Sequence, residues 1–236
     1  MCGRMQLEEP PTWEQLHGYY STFAGPQFKN KRTPGDVAPT DRAPIIALRN
    51  GERRMAEARW WLVPEWARDL KQTKHHMFNC RDDRLREAHE EFKRTRRVNG
   101  PFLKPFLQGR RCLIPVNGYY EYFQGKPVQF VMKDQPIFAL AGIWNWNPNI
   151  KTPDWPGGVV SFTMVTTEPN RLAKMFHHRM PVILDPCDYN QWLSPNTPAY
   201  EALAMLRPYR GTGLKVKPFE PVDDGQADLF ADERRG

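Results

Sequence analysis

Between Pro44 and Leu184 the chain alternates short apolar runs with turn residues, a rhythm that limits the fold to short strands joined by tight turns. Pro44 to Arg49 reads as a strand. Asn50-Gly51 follows, and both residues accept the positive φ that a two-residue hairpin turn requires. Glu52 to Leu62 then continues as the partner strand. Cys112 to Val116 is an apolar strand, Asn117-Gly118 turns it into Tyr119 to Phe123, and Gly125-Lys126 turns again into Val128 to Met132. Ile137 to Trp144, Val159 to Thr166 and Met180 to Leu184 are further strands. Helices are fewer. Thr12 and Gln15 form a capping box that opens a helix through Phe23. Arg84 to Lys93 reads as a charged helix, and short helices are expected over Glu168 to Met175, 187–193 and 198–206. Lys29 to Thr40 reads as a loop bearing Pro and Gly. The class is therefore α+β, with curved antiparallel sheets or an open barrel and short peripheral helices. One domain is expected over 2–220, and an acidic tail without fixed structure over 221–236.

The 236 residues carry a net charge of +7, with a pI near 9.3. The tail is acidic up to its last arginines, so the body is more basic than the whole. That balance favours an anionic partner, nucleic acid above all. Eight Trp, eight Tyr and thirteen Phe, interleaved with arginine, suit stacking on unpaired bases as well as filling a core. No stretch approaches the roughly 18 apolar residues of a membrane span, and no signal peptide opens the chain. No membrane partner is expected, the expected location is the cytoplasm, and the default assembly is a monomer. Cys2, Cys80, Cys112 and Cys187 show no CxxC spacing. His75, His76 and Cys80 lack a second ligand pair, so neither a metal nor a cofactor is expected.

Cys2 becomes the first residue once Met1 is trimmed, which the small cysteine side chain favours. It then carries two nucleophiles on adjacent carbons, the α-amine and the thiol. The amine forms a Schiff base with an aldehyde, and the thiol closes a five-membered thiazolidine. The α-amine titrates near 7.7–8.0, so roughly a third of it is neutral at pH 7.5.

Four segments stand together with Cys2. They are Met1-Cys2-Gly3-Arg4, Phe78-Asn79-Cys80-Arg81, Arg110 to Tyr122 (RRCLIPVNGYYEY) and Phe176 to Leu184 (FHHRMPVIL). With Val37-Ala38-Pro39-Thr40 and Trp60 to Trp66 (WWLVPEW), they resemble the SRAP family of abasic-site processing proteins, also called SOS response-associated peptidases. The resemblance covers residues 2 to about 217. It implies a protein that recognises abasic sites in single-stranded DNA and links to the open-chain aldehyde through Cys2. The thiazolidine crosslink shields the lesion, and lyase activity and reversal of the link accompany it. It also implies association with the nucleoid when DNA is bound. By the same resemblance Glu121 and His177 are the catalytic acid–base residues and Asn79 hydrogen-bonds the sugar or the N-terminus. Arg4, Arg81 and Arg179 contact phosphates, while Pro39 and Trp66 wedge against or stack on bases. Five positions depart from the family pattern. Asp36 brings a negative charge near the DNA, Trp61 replaces a glycine, and Ala67 replaces an aromatic, which weakens stacking. Cys80 is a second thiol near the site, and His178 adds positive charge when protonated.

Gln226-Ala227-Asp228-Leu229-Phe230 resembles the pentapeptide with which bacterial replication proteins dock on the β sliding clamp. Leu229 and Phe230 would fill a hydrophobic pocket and Gln226 would anchor the other end. An alternative reading makes the protein a thiol peptidase or self-processing hydrolase, with Cys2 as nucleophile and His177 as base. A third is a single-strand-binding module without a covalent step.

Overall fold

The structure, a computed structural model, describes residues 3–7, 18, 20, 35–73 and 76–218. Cys2, His75, the tail 221–236 with Gln226, Leu229 and Phe230, and most of the helix expected from Thr12 to Phe23 lie outside the described residues. The smaller of two sheets begins with β1 (Arg4–Leu7) and β2 (Gly35–Val37), which pair antiparallel. It is completed by β7 (Gly118–Phe123), β8 (Lys126–Met132) and β13 (Leu214–Pro218), in the order β13-β8-β7-β1-β2. The larger sheet holds β3 (Arg42–Arg49), β4 (Glu52–Trp60), β6 (Arg111–Val116), β9 (Phe138–Asn147) and β10 (Val159–Thr167). Because β10 pairs with both β4 and β9, the order β10-β4-β3-β6-β9 closes on itself, and the expected open barrel is a closed five-stranded one. The β4–β10 pairing is parallel and the other four are antiparallel. Flanking β10 are β5 (Asn79–Arg81) and β11 (Met180–Pro181), while β12 (Ile183–Leu184) joins β9.

Side chains alternate across each strand, so the barrel feeds two cores. Ile45, Trp60, Ile114, Phe138 and Phe162 pack with Met5, Tyr119 and Phe130 of the smaller sheet. The intervening Ile46, Leu113, Ile143 and Val165 pack beneath α1 (Asp82–Thr95), α2 (Leu103–Leu107), α3 (Tyr189–Leu193) and α4 (Ala199–Ala204). Helix α1 starts on Asp82 and Asp83 and ends on Lys93 and Arg94, charges that complement its dipole. It buries Leu85 and His89, four apart, on one face.

The Asn50-Gly51 hairpin forms as expected, with φ of 54° and 79°. Asn117-Gly118 does not make a hairpin, because β6 and β7 lie in different sheets and the chain crosses between them there. Gly118 serves a different need: a Cβ on it would sit 2.8 Å from the Phe130 carbonyl oxygen. The β7–β8 hairpin turns at Gln124-Gly125, one residue earlier than expected, with both φ positive. The segment from Glu168 to Met175 contributes only a 3-10 turn, Ala173–Met175. The strand expected over Met180 to Leu184 is split at Val182, which bonds to β10 through its N–H and to β9 through its carbonyl.

Arg111 fastens α3 to the barrel. It is 2% exposed, its Nε donates to the Trp192 carbonyl at 2.7 Å, and its Nη2 donates to the carbonyls of Ser194 and Thr197. The Phe106 and Trp192 rings lie 5.6 and 5.8 Å from its guanidinium carbon. Burial pulls its pKa down to about 10. Arg111→Ala is expected to cost about 3 kcal/mol in urea unfolding, since it opens a cavity and strands three carbonyls.

Candidate active site

Strand β7 carries Tyr119, Glu121 and Phe123 on one face, and that face turns toward the segment Phe176-His177. Glu121 is 4% exposed, although Tyr122 and Phe123 beside it are open to solvent. Its Oε1 lies 3.9 Å from Nδ1 of His177, too long for a direct hydrogen bond but close enough for one charge to influence the other. Burial disfavours the carboxylate and pushes the Glu121 pKa up to about 7. Burial also lowers the pKa of His177, and the neighbouring His178 ring, 4.2 Å away, acts in the same direction. Glu121 therefore exchanges its proton around neutral pH, and His177 is favoured in its neutral, proton-accepting form.

The His177 ring is held in either proton state. The Arg179 amide N–H donates to Nδ1 at 3.1 Å when the ring is neutral. The Arg179 carbonyl oxygen lies 3.1 Å from the same nitrogen and accepts its proton when the ring is charged. The Arg179 side chain is fixed in turn. Its Nη2 donates to Asp82 Oδ1 at 2.7 Å and to the Thr166 carbonyl at 2.5 Å, with the whole residue 8% exposed. Asp82 also accepts from the Thr167 hydroxyl at 3.3 Å. Nothing in the sequence signalled Asp82, which lies 97 positions from Arg179.

Strand β5 delivers Asn79 and Arg81 to the same end of β10, opposite Met164 and Thr166. Asn79 is 5% exposed. Arg81 is exposed and grips Asp83 with two nitrogens, at 3.0 and 2.5 Å. Such a surface pair is worth under about 1 kcal/mol, so a phosphate competes for the guanidinium at little cost. Across the smaller sheet, Arg4 stands opposite Tyr120 and forms an ion pair with Asp36 at 3.2 Å. The departure at Asp36 is thus a paired charge. Arg4 also donates to the Tyr122 hydroxyl at 3.4 Å.

Two further expected contacts lie on connecting segments, Pro39 between β2 and β3 and Trp66 after β4. Trp66 is 59% exposed in a separate groove of about 420 Å³, lined also by Val98, Pro101, Lys104 and Pro105. Pro39 precedes Thr40, whose φ is 82°, in a turn closed by the Asp41 carboxylate on the Ala38 amide. Two departures turn out to face inward. Ala67 is fully enclosed with Val63, Ile150 and Val159, so it is a core position and not a truncated stacking platform. Cys80 is 1% exposed in the core and burial raises its thiol pKa, which removes it as a competing nucleophile. Trp61 is half-buried, its indole N–H donating to the Thr73 carbonyl at 2.9 Å.

The family model for SOS response associated peptidase (SRAP) matches residues 1–222. The chain belongs to the SRAP family. Among its relatives, the abasic site processing protein YoqW of Bacillus subtilis is 32% identical over 226 residues, spanning 92% of this SRAP chain and 91% of YoqW. The abasic site processing protein HMCES of Gallus gallus is 27% identical, spanning 87% of this chain and 63% of its own length. A crystal structure of a protein from Bordetella bronchiseptica shares the fold, with a TM-score of 0.74 at 23% identity over 93% of this chain and 100% of that one. Among the described residues of this SRAP chain, no helix is long and apolar enough to cross a membrane.

Proposed function

We propose that this protein recognises abasic sites in single-stranded DNA and links to them covalently through Cys2 once Met1 is removed. The observation that carries the reading is the buried Glu121 carboxyl, with a pKa near 7, beside His177. The strand next to it begins at Arg4, and the two residues from Arg4 back to Cys2 span at most about 7 Å. Protonated Glu121 donates to the ring oxygen as the deoxyribose hemiacetal opens, while His177 takes the hydroxyl proton. The neutral Cys2 amine adds to the freed aldehyde and water leaves as the imine forms. The thiolate then adds to the imine carbon, the nitrogen takes a proton, and the thiazolidine closes. Opening of the ring returns the imine. Water then restores the aldehyde, or loss of a proton beside the imine expels the 3′ phosphate, which accounts for reversal and lyase activity. Arg4 and Arg81 are open to solvent and take the phosphates, while the buried Asn79 hydrogen-bonds the sugar or the N-terminus. Nucleoid association follows from DNA binding. Docking of Gln226, Leu229 and Phe230 on a sliding clamp belongs to the same reading and rests on the motif alone.

The test mixes Met1-trimmed protein with a single-stranded oligonucleotide carrying one abasic site and resolves the products on a denaturing gel. A slow band is expected that Cys2→Ala does not give. No band, from protein whose mass shows cysteine at the N-terminus, sinks the covalent reading.

A further inference from the structure

An open groove of about 900 Å³ lies beside the Glu121–His177 pair. It is lined by Phe123 and Val128 from the β7–β8 hairpin, Met175 and Phe176 from the turn before His177, and Leu214 and Val216 from β13. Large apolar side chains left in solvent are costly, yet here Phe123 is 39% exposed and Met175 61%. The Phe123 ring is buttressed from one side. It meets the Phe176 ring edge-on at 5.4 Å, and Phe176 meets the buried Phe130 at 5.6 Å and 89°. Lys126 and Lys215 also line the groove, and among the described residues no acidic one does.

Position matters as much as chemistry. Phe123 stands two residues beyond Glu121 on the same face of β7, a displacement of about 7 Å. Phe176 is the chain neighbour of His177. A sugar reacting at the Glu121–His177 pair therefore has its neighbouring nucleotide within reach of the groove. A flat apolar ring attached to a polyanion matches a partly exposed aromatic platform with a cationic rim.

We propose that this groove binds the nucleobase adjoining the abasic sugar, stacked on Phe123, with Lys126 and Lys215 meeting the backbone phosphates. The inference rests on the reading that the substrate is a DNA strand. It adds a subsite distinct from the Trp66 groove and makes the presence of one flanking base a determinant of binding.

The test uses the full chain and measures binding by fluorescence anisotropy. The oligonucleotides carry tetrahydrofuran at the lesion, which has no aldehyde, and either adenine or a second tetrahydrofuran at the 5′ or the 3′ neighbour. Wild type is expected to lose about tenfold in affinity when one of those neighbours lacks its base. Phe123→Ala is expected to bind both oligonucleotides alike, and Phe123→Trp to restore the difference. Met175→Ala, at a more exposed position, reduces the base dependence in a fold that its truncation does not threaten. Wild type that ignores both neighbours, or a dependence that survives intact in Phe123→Ala, overturns the proposal. So does a Leu229→Asp/Phe230→Asp chain that alone gains the base dependence, because the groove would then belong to the chain's own tail. Parallel gels with a true abasic site separate the two readings. Absent crosslinks with persistent base-dependent binding defeat the covalent reading and leave this one standing.

Discussion

Glu121→Gln is expected to slow crosslinking by at least about 100-fold and, above neutral pH, to make the fold more stable. The two effects share one cause. A carboxyl that is 4% exposed resists ionisation, and its pKa of about 7 in the folded protein compares with 4.5 when solvated. Between those values the folded chain holds a proton that the unfolded chain has released. Stability from this group is therefore complete below about pH 4.5, falls as pH rises, and is gone once pH passes about 7. The total is about 3 kcal/mol. Glutamine is neutral throughout and escapes the loss, but it cannot give up or take a proton. In urea unfolding, the variant should draw ahead of wild type by up to that amount between pH 5 and pH 8. A constant offset across that range would mean that Glu121 is already ionised in the folded protein, and its role as a proton donor would fall with it. The wild-type crosslinking rate should also decline as Glu121 ionises, once pH exceeds about 7.

Much of this was legible in the chain, and what was not has particular physical reasons. The Asn50-Gly51 hairpin and α1 came from local chemistry, a turn pair that tolerates positive φ and a run of charges ordered along a helix dipole. Arg4–Leu7 and Asn79–Arg81 were not visible as strands, because three or four residues of mixed polarity become strands only when β7 or β10 pairs with them. The same dipeptide, Asn-Gly, closes a hairpin at 50–51 and crosses between sheets at 117–118. Only the long-range partner Phe130, close against Gly118, distinguishes the two. At the site, the family resemblance pointed to Glu121 and His177, but burial sets their proton affinities and burial is a property of the closed fold. Arg179 shows the limit most clearly. In sequence it sits in a polar His-His-Arg run that suits phosphate contact, whereas in the fold it is enclosed with Asp82.

That enclosure makes the Asp82–Arg179 pair a positioning device whose loss should be felt twice. Asp82→Asn keeps the shape of the side chain and one acceptor oxygen but leaves the buried guanidinium without its charge partner at 2.7 Å. Breaking a buried pair from one side costs about 3–5 kcal/mol, because the surviving charge has lost its compensation and cannot recover water. Asp83, 3.6 Å from the same nitrogen and more exposed, takes up part of the charge, so the lower end of that range is expected. For a chain of this length the midpoint of thermal unfolding should fall by about 6–12 °C. The second effect travels through the backbone. Arg179 holds Nδ1 of His177 through both its amide and its carbonyl, and its side chain ties that stretch to α1 and β10. Loosening it admits water around the ring, and the His177 pKa, lowered by burial, should climb back toward 6.5. The acid limb of the crosslinking rate against pH should move up accordingly, at temperatures well below the new midpoint. A variant that loses stability with an unmoved pH profile would make the pair a staple of the fold alone. A variant that keeps wild-type stability but loses DNA affinity with a shallower salt dependence would return Arg179 to phosphate contact.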